Sequence, residues 1–260
     1  MQIGISTASL YGKMNTEQAL EFFNKSGVDV CEVFLASFSE YEENFAKVLQ
    51  SVQGKTRVHS IHTLNSQFEG QLFSKSLRQY EDAKKIFTSA LKIGQRLGAE
   101  IYVLHGPQQM KYTKYVTDYK FFGERTSELA YLAKQHDMML TWENVHWTHY
   151  NHPDFMKNLL PYVSEKIGCT LDIKQAKQSD VTVDKYIGDM QGLIRNVHIV
   201  DYDEFGNMVL PTSGFYDYKS LFNKMGNYDE TVMIEVYDGC YQKPEQLLES
   251  YKRFKELYVK

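Results

Sequence analysis

Four ionisable residues sit where apolar, strand-like runs come to an end. Met138-Met-Leu-Thr-Trp-Glu-Asn144 carries Glu143, Cys169-Thr-Leu-Asp172 carries Asp172, Asn196-Val-His-Ile-Val-Asp201 carries His198, and Val232-Met-Ile-Glu-Val236 carries Glu235. Side chains alternate across a strand. Leu140 and Trp142, Cys169 and Leu171, Val197 and Ile199, and Ile234 and Val236 therefore share one face, and the ionisable residues share the other. Taken singly, each carboxylate reads equally well as an ion pair or a cap, and the histidine as a hydrogen-bonded core residue. Taken together, three converging carboxylates repel one another and resist ionisation. A divalent cation resolves that conflict, and this oxygen and nitrogen donor set suits Mn²⁺, Mg²⁺, Co²⁺ or Zn²⁺.

Three further residues have the same inward parity: Glu32 in Val30-Cys-Glu-Val33, His62 in Ser60-Ile-His62, and His105 ahead of Gly106-Pro107. They are expected to bind a substrate or to hydrogen-bond the metal ligands. For Glu32 a buried pair with a lysine or histidine is an equal alternative. Trp147, Tyr150 and Tyr11 lie in loops where their rings could face a ligand, although packing of helices is the commoner use of such rings. Lys174 turns inward only if its strand continues past Asp172. The loop Gly206 to Gly214 carries backbone N–H groups that could meet a phosphate, since barrels often place phosphate sites after their last two strands.

The elements that must position these groups are short strands alternating with helices. Strands are expected near 2–8, 28–34, 57–62, 100–105, 138–144, 168–173, 196–201 and 231–237. Asn15-Thr-Glu-Gln18 is a capping-box pattern that opens a first helix closed by Gly27. Leu77, Tyr80, Ala83, Phe87, Ala90 and Leu91 recur at helical spacing in Ser76–Leu97, and Gly98 can close that helix. Pro244 opens a last one. Eight strand runs with helices between them argue for parallel pairing. A closed (β/α)₈ barrel and an open doubly wound sheet both satisfy the alternation. Long connections follow several strands, at 11–15, 64–76, 106–119, 145–153 and 202–217, at the end where such sheets carry function.

At 260 residues the chain matches the roughly 250 of one α/β barrel, and no linker or composition shift divides 1–260 into domains. A formal net charge of −4 argues against a nucleic-acid partner. No apolar run reaches the roughly 20 residues of a membrane span, and the N-terminus lacks a signal-peptide pattern. Cys31, Cys169 and Cys240 are widely spaced and read as reduced thiols, which points to the cytoplasm. The oligomeric state is open, with a homo-oligomer compatible with everything above.

Trp142-Glu-Asn144, Leu171-Asp-Ile-Lys-Gln-Ala176, Val197-His-Ile-Val-Asp201 and Ile234-Glu-Val-Tyr237 together resemble the sugar phosphate isomerase and epimerase superfamily with the xylose isomerase-like TIM barrel. The resemblance implies a closed barrel. It also implies that Glu143, Asp172, His198 and Glu235 bind one divalent metal ion and that the partner is a small-molecule carbohydrate. By the same resemblance, Glu143 and Glu235 would serve as base and acid in isomerisation or epimerisation. Many ketose epimerases place a substrate-binding histidine where this chain has Gln175, which can hydrogen-bond an oxygen but supplies no charge. Apurinic endonucleases of the same superfamily use three metals. Gln175 and the histidine-free segment Asn207-Met-Val-Leu-Pro211 leave that set incomplete here. Related proton chemistry would also serve a keto-inositol dehydratase.

Overall fold

The computed structural model describes residues 1–109, 116–226 and 228–258. Eight parallel strands close into a barrel: β1 (Gln2–Ser6), β2 (Val30–Leu35), β3 (Arg57–Thr63), β4 (Ile101–Leu104), β5 (Met139–Glu143), β6 (Gly168–Asp172), β7 (Ile194–Ile199) and β8 (Thr231–Ile234). Each strand pairs with its neighbours in sequence, and β8 returns to β1 through Gln2 opposite Thr231 and Ile5 opposite Ile234. Closure decides between the two architectures left open by the alternation. The chain is a (β/α)₈ barrel, and closure leaves none of its eight strands as an edge.

Helices α1 (Thr16–Lys25), α2 (Phe45–Gln53), α3 (Asn65–Leu72), α4 (Leu77–Leu97), α5 (Tyr119–Lys134), α6 (Phe155–Leu159), α7 (Ile173–Gln178), α8 (Val183–Asp189), α9 (Tyr218–Lys224) and α10 (Pro244–Tyr258) surround it. The capping box of α1 forms, with the Asn15 N–H donating to Gln18 Oε1 at 3.0 Å. Gly98 ends α4 in the left-handed conformation, φ 76°. Among the described residues no helix is long and apolar enough to cross a membrane.

Outward strand residues such as Leu140, Trp142, Leu171, Val197 and Ile234 join Phe23, Leu91, Leu129 and Phe254 of the helices in one apolar core. The inward face is different. Its lower layer is apolar, with Met233 beside Gly4; a Cβ at Gly4 would sit 2.6 Å from Met233 Sδ and 2.7 Å from Val30 O, so the sulfur fills what a side chain would occupy. Above it come Ser6, Glu32, Ser60, Thr141, Thr170 and Asn196, all buried. A polar middle layer leaves the barrel unable to hold its shape by apolar packing alone. Hydrogen bonds between strands take over, including Thr141 Oγ1 to Thr170 Oγ1 at 2.8 Å.

Two expectations change here. The segment 64–76, read as a loop, contains α3. The loop 202–217 holds a two-stranded ribbon, Asp201–Tyr202 with Met208–Val209.

Candidate metal centre

The top inward layer holds Glu143 at the end of β5, Asp172 at the end of β6, His198 in β7 and Glu235 one residue past β8. All four are buried. One potential ligand atom from each lies within 4.8 Å of the others. His198 Nδ1 stands 3.0 Å from Glu235 Oε2, 3.3 Å from Glu143 Oε1 and 3.8 Å from Asp172 Oδ2. Its other nitrogen, Nε2, faces Glu32 Oε2 at 3.2 Å. A carboxylate behind an imidazole fixes the ring and leaves the opposite nitrogen for the site.

The donor chemistry fits a divalent cation. Glu143 Oε2 and Asp172 Oδ2 are buried and make no hydrogen bond among the described residues. Buried carboxylates need positive charge beside them: Lys174 Nζ stands 2.9 Å from Asp172 Oδ2 and His105 Nε2 3.4 Å from Glu143 Oε2, and a divalent cation would meet the same need. Asp172 Oδ1 is already committed, because it accepts the Gln175 N–H at 2.8 Å and caps α7.

Asn144 holds this geometry together. Its Oδ1 accepts the Asp172 N–H at 2.8 Å and its Nδ2 donates to the Asp172 carbonyl at 2.9 Å. The end of β5 is thereby clamped to the end of β6. A side chain that bonds only backbone leaves no periodic trace, so the sequence pattern did not single it out.

Glu32 lies below the four, fully buried and outside the cavity lining. It accepts Ser6 Oγ at 2.9 Å and Ser60 Oγ at 2.7 Å, with Asn196 Nδ2 at 3.3 Å. Glu32 faces His198 and His62 from below, and with His62 and Glu235 it forms a further group of converging donors. His62 and His105 do line the cavity, and their Nε2 atoms approach to 2.6 Å. With Glu143 they form a second group of converging donors. Behind His105 stands Glu69 of α3, a buried residue that the loop reading of 64–76 concealed. Glu69 Oε2 accepts the His105 N–H at 3.0 Å and lies 3.1 Å from Nδ1, while Oε1 accepts from Thr63 and Tyr102.

The cavity above these groups has a volume of about 390 Å³. Phe34, Trp147, Tyr11 and Tyr237 wall it, and Gln175 reaches its rim. Gln175 Oε1 is held by His146, accepting its N–H at 3.2 Å and lying 2.6 Å from its Nδ1. Tyr150, by contrast, is fully buried and stacks on Phe155, so it packs a helix and faces no ligand. Nor does the loop after β7 present N–H groups to a phosphate. Those of Thr212, Gly214 and Tyr216 all donate to the Asp201 carboxylate, at 3.0, 3.1 and 2.8 Å.

Charge inside the barrel is strongly coupled. Burial alone would raise the Glu32 pKa, yet His198 and His62 beside it hold the carboxyl well below its usual range. Burial likewise works against a protonated His62, but Glu32, then Glu235 and Glu143, push it up to about 9. Since the folded pKa of His62 lies above the ordinary 6.5, its stabilisation is complete below pH 6.5 and is lost as the pH rises through about 9. Chelator-treated protein should therefore unfold more easily at about pH 10 than at about pH 6, by on the order of 3 kcal/mol shared between His62 and its carboxylates. Urea unfolding at the two pH values measures this, and equal stability would contradict it.

The comparisons with known proteins agree with this architecture. A solved D-tagatose 3-epimerase-like protein superposes with a TM-score of 0.80 at 17% identity, covering 98% of this chain and 96% of that one. D-psicose 3-epimerase from Clostridium cellulolyticum H10, determined with D-tagatose, gives 0.78 at 15% identity over 100% of both chains. The IOLI protein, solved with a zinc atom, gives 0.73 at 17% identity, covering 100% of this chain and 97% of that one. No curated protein matches by sequence. These likenesses carry the fold. The family follows from a sequence model, that of the xylose isomerase-like TIM barrel, which matches residues 20–257. With nearly the whole chain inside that match, the protein belongs to the xylose isomerase-like TIM barrel family.

Proposed function

We propose that this chain is a divalent-metal-dependent isomerase or epimerase of a sugar or related polyol. The observation that carries the reading is the convergence of Glu143, Asp172, His198 and Glu235 within 4.8 Å beneath a cavity of about 390 Å³. The likeness in fold to a D-psicose 3-epimerase and to a D-tagatose 3-epimerase-like protein supports it. A bound cation would polarise a carbonyl and its neighbouring hydroxyl, easing loss of the proton between them.

The chain's own residues supply the rest. Glu143 ends β5 and Glu235 follows β8, with β6 and β7 between them, and both line the cavity. One glutamate, as the carboxylate, takes the proton beside the carbonyl; in isomerisation it hands that proton to the neighbouring carbon, and in epimerisation the other glutamate, entering as the neutral acid, delivers its proton to the opposite face. Asp172 and His198 hold position. The aromatic wall of Phe34 and Trp147 offers apolar faces to the C–H side of a sugar.

Metal content and solvent exchange test the reading together. Purified protein should hold one divalent ion per chain and should move deuterium from solvent into at least one member of a ketose panel. Protein that can neither retain nor recover an ion would overturn the proposal. A second reading rests on His62, His105 and Glu143, which converge as an additional group. Two or more ions per chain, with cleavage of phosphodiesters in place of sugar exchange, would assign the chain to endonuclease-like chemistry.

A further inference from the structure

Lys174 is the group that the reaction outlined above does not use, although it is buried at the centre of the site. Strand β6 stops at Asp172, and parity then gives no reason for Lys174 to point inward. It does so because Asp172 immediately caps α7 and the first helical turn swings residue 174 over the barrel mouth. Its Nζ lies 2.9 Å from Asp172 Oδ2 and 2.7 Å from Glu235 Oε2, with the side chain 3% exposed. The ring of Tyr237 closes over it, 5.1 Å from the ammonium to the centroid. Among the described residues lining the cavity, Lys174 is the one lysine, and no arginine accompanies it.

Those two oxygens belong to two of the four residues that would hold the metal. Asp172 has no spare oxygen, since Oδ1 is spent on α7. A divalent cation held by Asp172 and Glu235 would compete with the ammonium for these oxygens, since metal–oxygen contacts near 2.0–2.2 Å would crowd a second positive charge against Nζ. Lysine is a compact charge on a flexible four-carbon stem, and its open side is the cavity.

Resting on the metal-dependent reading above, we propose that Lys174 is a built-in counter-cation which neutralises Asp172 and Glu235 until a divalent ion displaces its ammonium toward the cavity. Metal binding is then an exchange of cations, and the centre binds metal more weakly than its four donors alone would. The released ammonium stands at the cavity wall, placed to meet an oxygen of the bound sugar.

The test is a titration of chelator-treated protein with Mn²⁺ alone, comparing wild type with Lys174→Met and Lys174→Arg. The methionine variant should bind Mn²⁺ at least ~10-fold more tightly, the scale on which groups beside metal ligands act. The arginine variant, which keeps the charge, should bind no more tightly than wild type. Without metal, Lys174→Met should melt roughly 5–15 °C lower, since two buried carboxylates lose their cation, and Mn²⁺ should restore it. Wild-type binding with unchanged or weaker affinity in Lys174→Met overturns the lysine proposal and leaves the metal centre standing. Failure of both proteins to bind any Mn²⁺, Co²⁺ or Zn²⁺ overturns the metal centre and the lysine proposal with it. If Lys174→Met does not fold, tighter binding by Lys174→Gln supports the exchange and equal binding refutes it.

Discussion

Glu235→Gln should lose solvent-deuterium exchange into the substrate by ~10²–10⁴-fold, the range that a positioned acid or base supplies. The substitution is chosen for what it keeps. Glutamine has nearly the same shape and retains an oxygen that can face a cation, but it cannot accept a proton. In the wild-type chain Glu235 lines the cavity just beyond β8. Burial would raise its pKa, but Lys174 first, then His198 and His62, hold it well below the usual carboxylate range. At neutral pH it is therefore ionised, which is the form a base needs. Measuring metal content beside exchange separates its two roles. Loss of exchange with the ion retained identifies a proton carrier; loss of both identifies a ligand. Exchange at the wild-type rate would remove Glu235 from proton transfer and leave Glu143 as the residue to test.

The barrel was legible in the sequence because its strands obey a period of two and its helices a period of 3.6, and both periods are written in apolar residues. Glu143, Asp172, His198 and Glu235 interrupt those runs at inward positions, so their shared direction is legible from alternation alone. What escaped did so for definite reasons. Glu69 sits in α3, whose segment Asn65–Leu72 has too few apolar residues at helical spacing to stand out from a loop. Lys174 follows a strand that turns into a helix without an intervening residue, and there strand parity no longer predicts direction. The depth of Glu32 in the barrel depends on strand register, and the β2–β3 pairing shifts between Cys31 and Glu32. The N–H groups that made the loop after β7 attractive for a phosphate are used within the loop: Gly206 donates to the Asp203 carbonyl, Ser213 to the Leu210 carbonyl and Gly214 to the Asp201 carboxylate.

The depth of Glu32 gives the second large effect. Glu32→Leu removes the carboxylate that lies beneath the four-residue centre and outside the cavity lining. Ser6, Ser60 and Asn196 donate to it, and His198 and His62 carry charge toward it at 3.2 and 3.4 Å. Ser6, Glu32, Ser60 and Asn196 are fully buried, so losing the acceptor leaves buried donors unpaired. Removing one member of a buried ionic network costs about 3–5 kcal/mol, and the metal-free variant should lose that much stability in urea. Its metal affinity should also fall by ~10–100-fold, because His198 Nε2 no longer has the carboxylate that keeps Nδ1 turned toward the other ligands. Glu32→Gln separates the two effects. It restores the volume and one acceptor, so stability should recover in part while the affinity stays low. Full stability in Glu32→Leu would mean that the serines and Asn196 find other partners within the barrel. Unchanged metal affinity in both variants would mean that His198 is oriented by its neighbours on β7 and not from below.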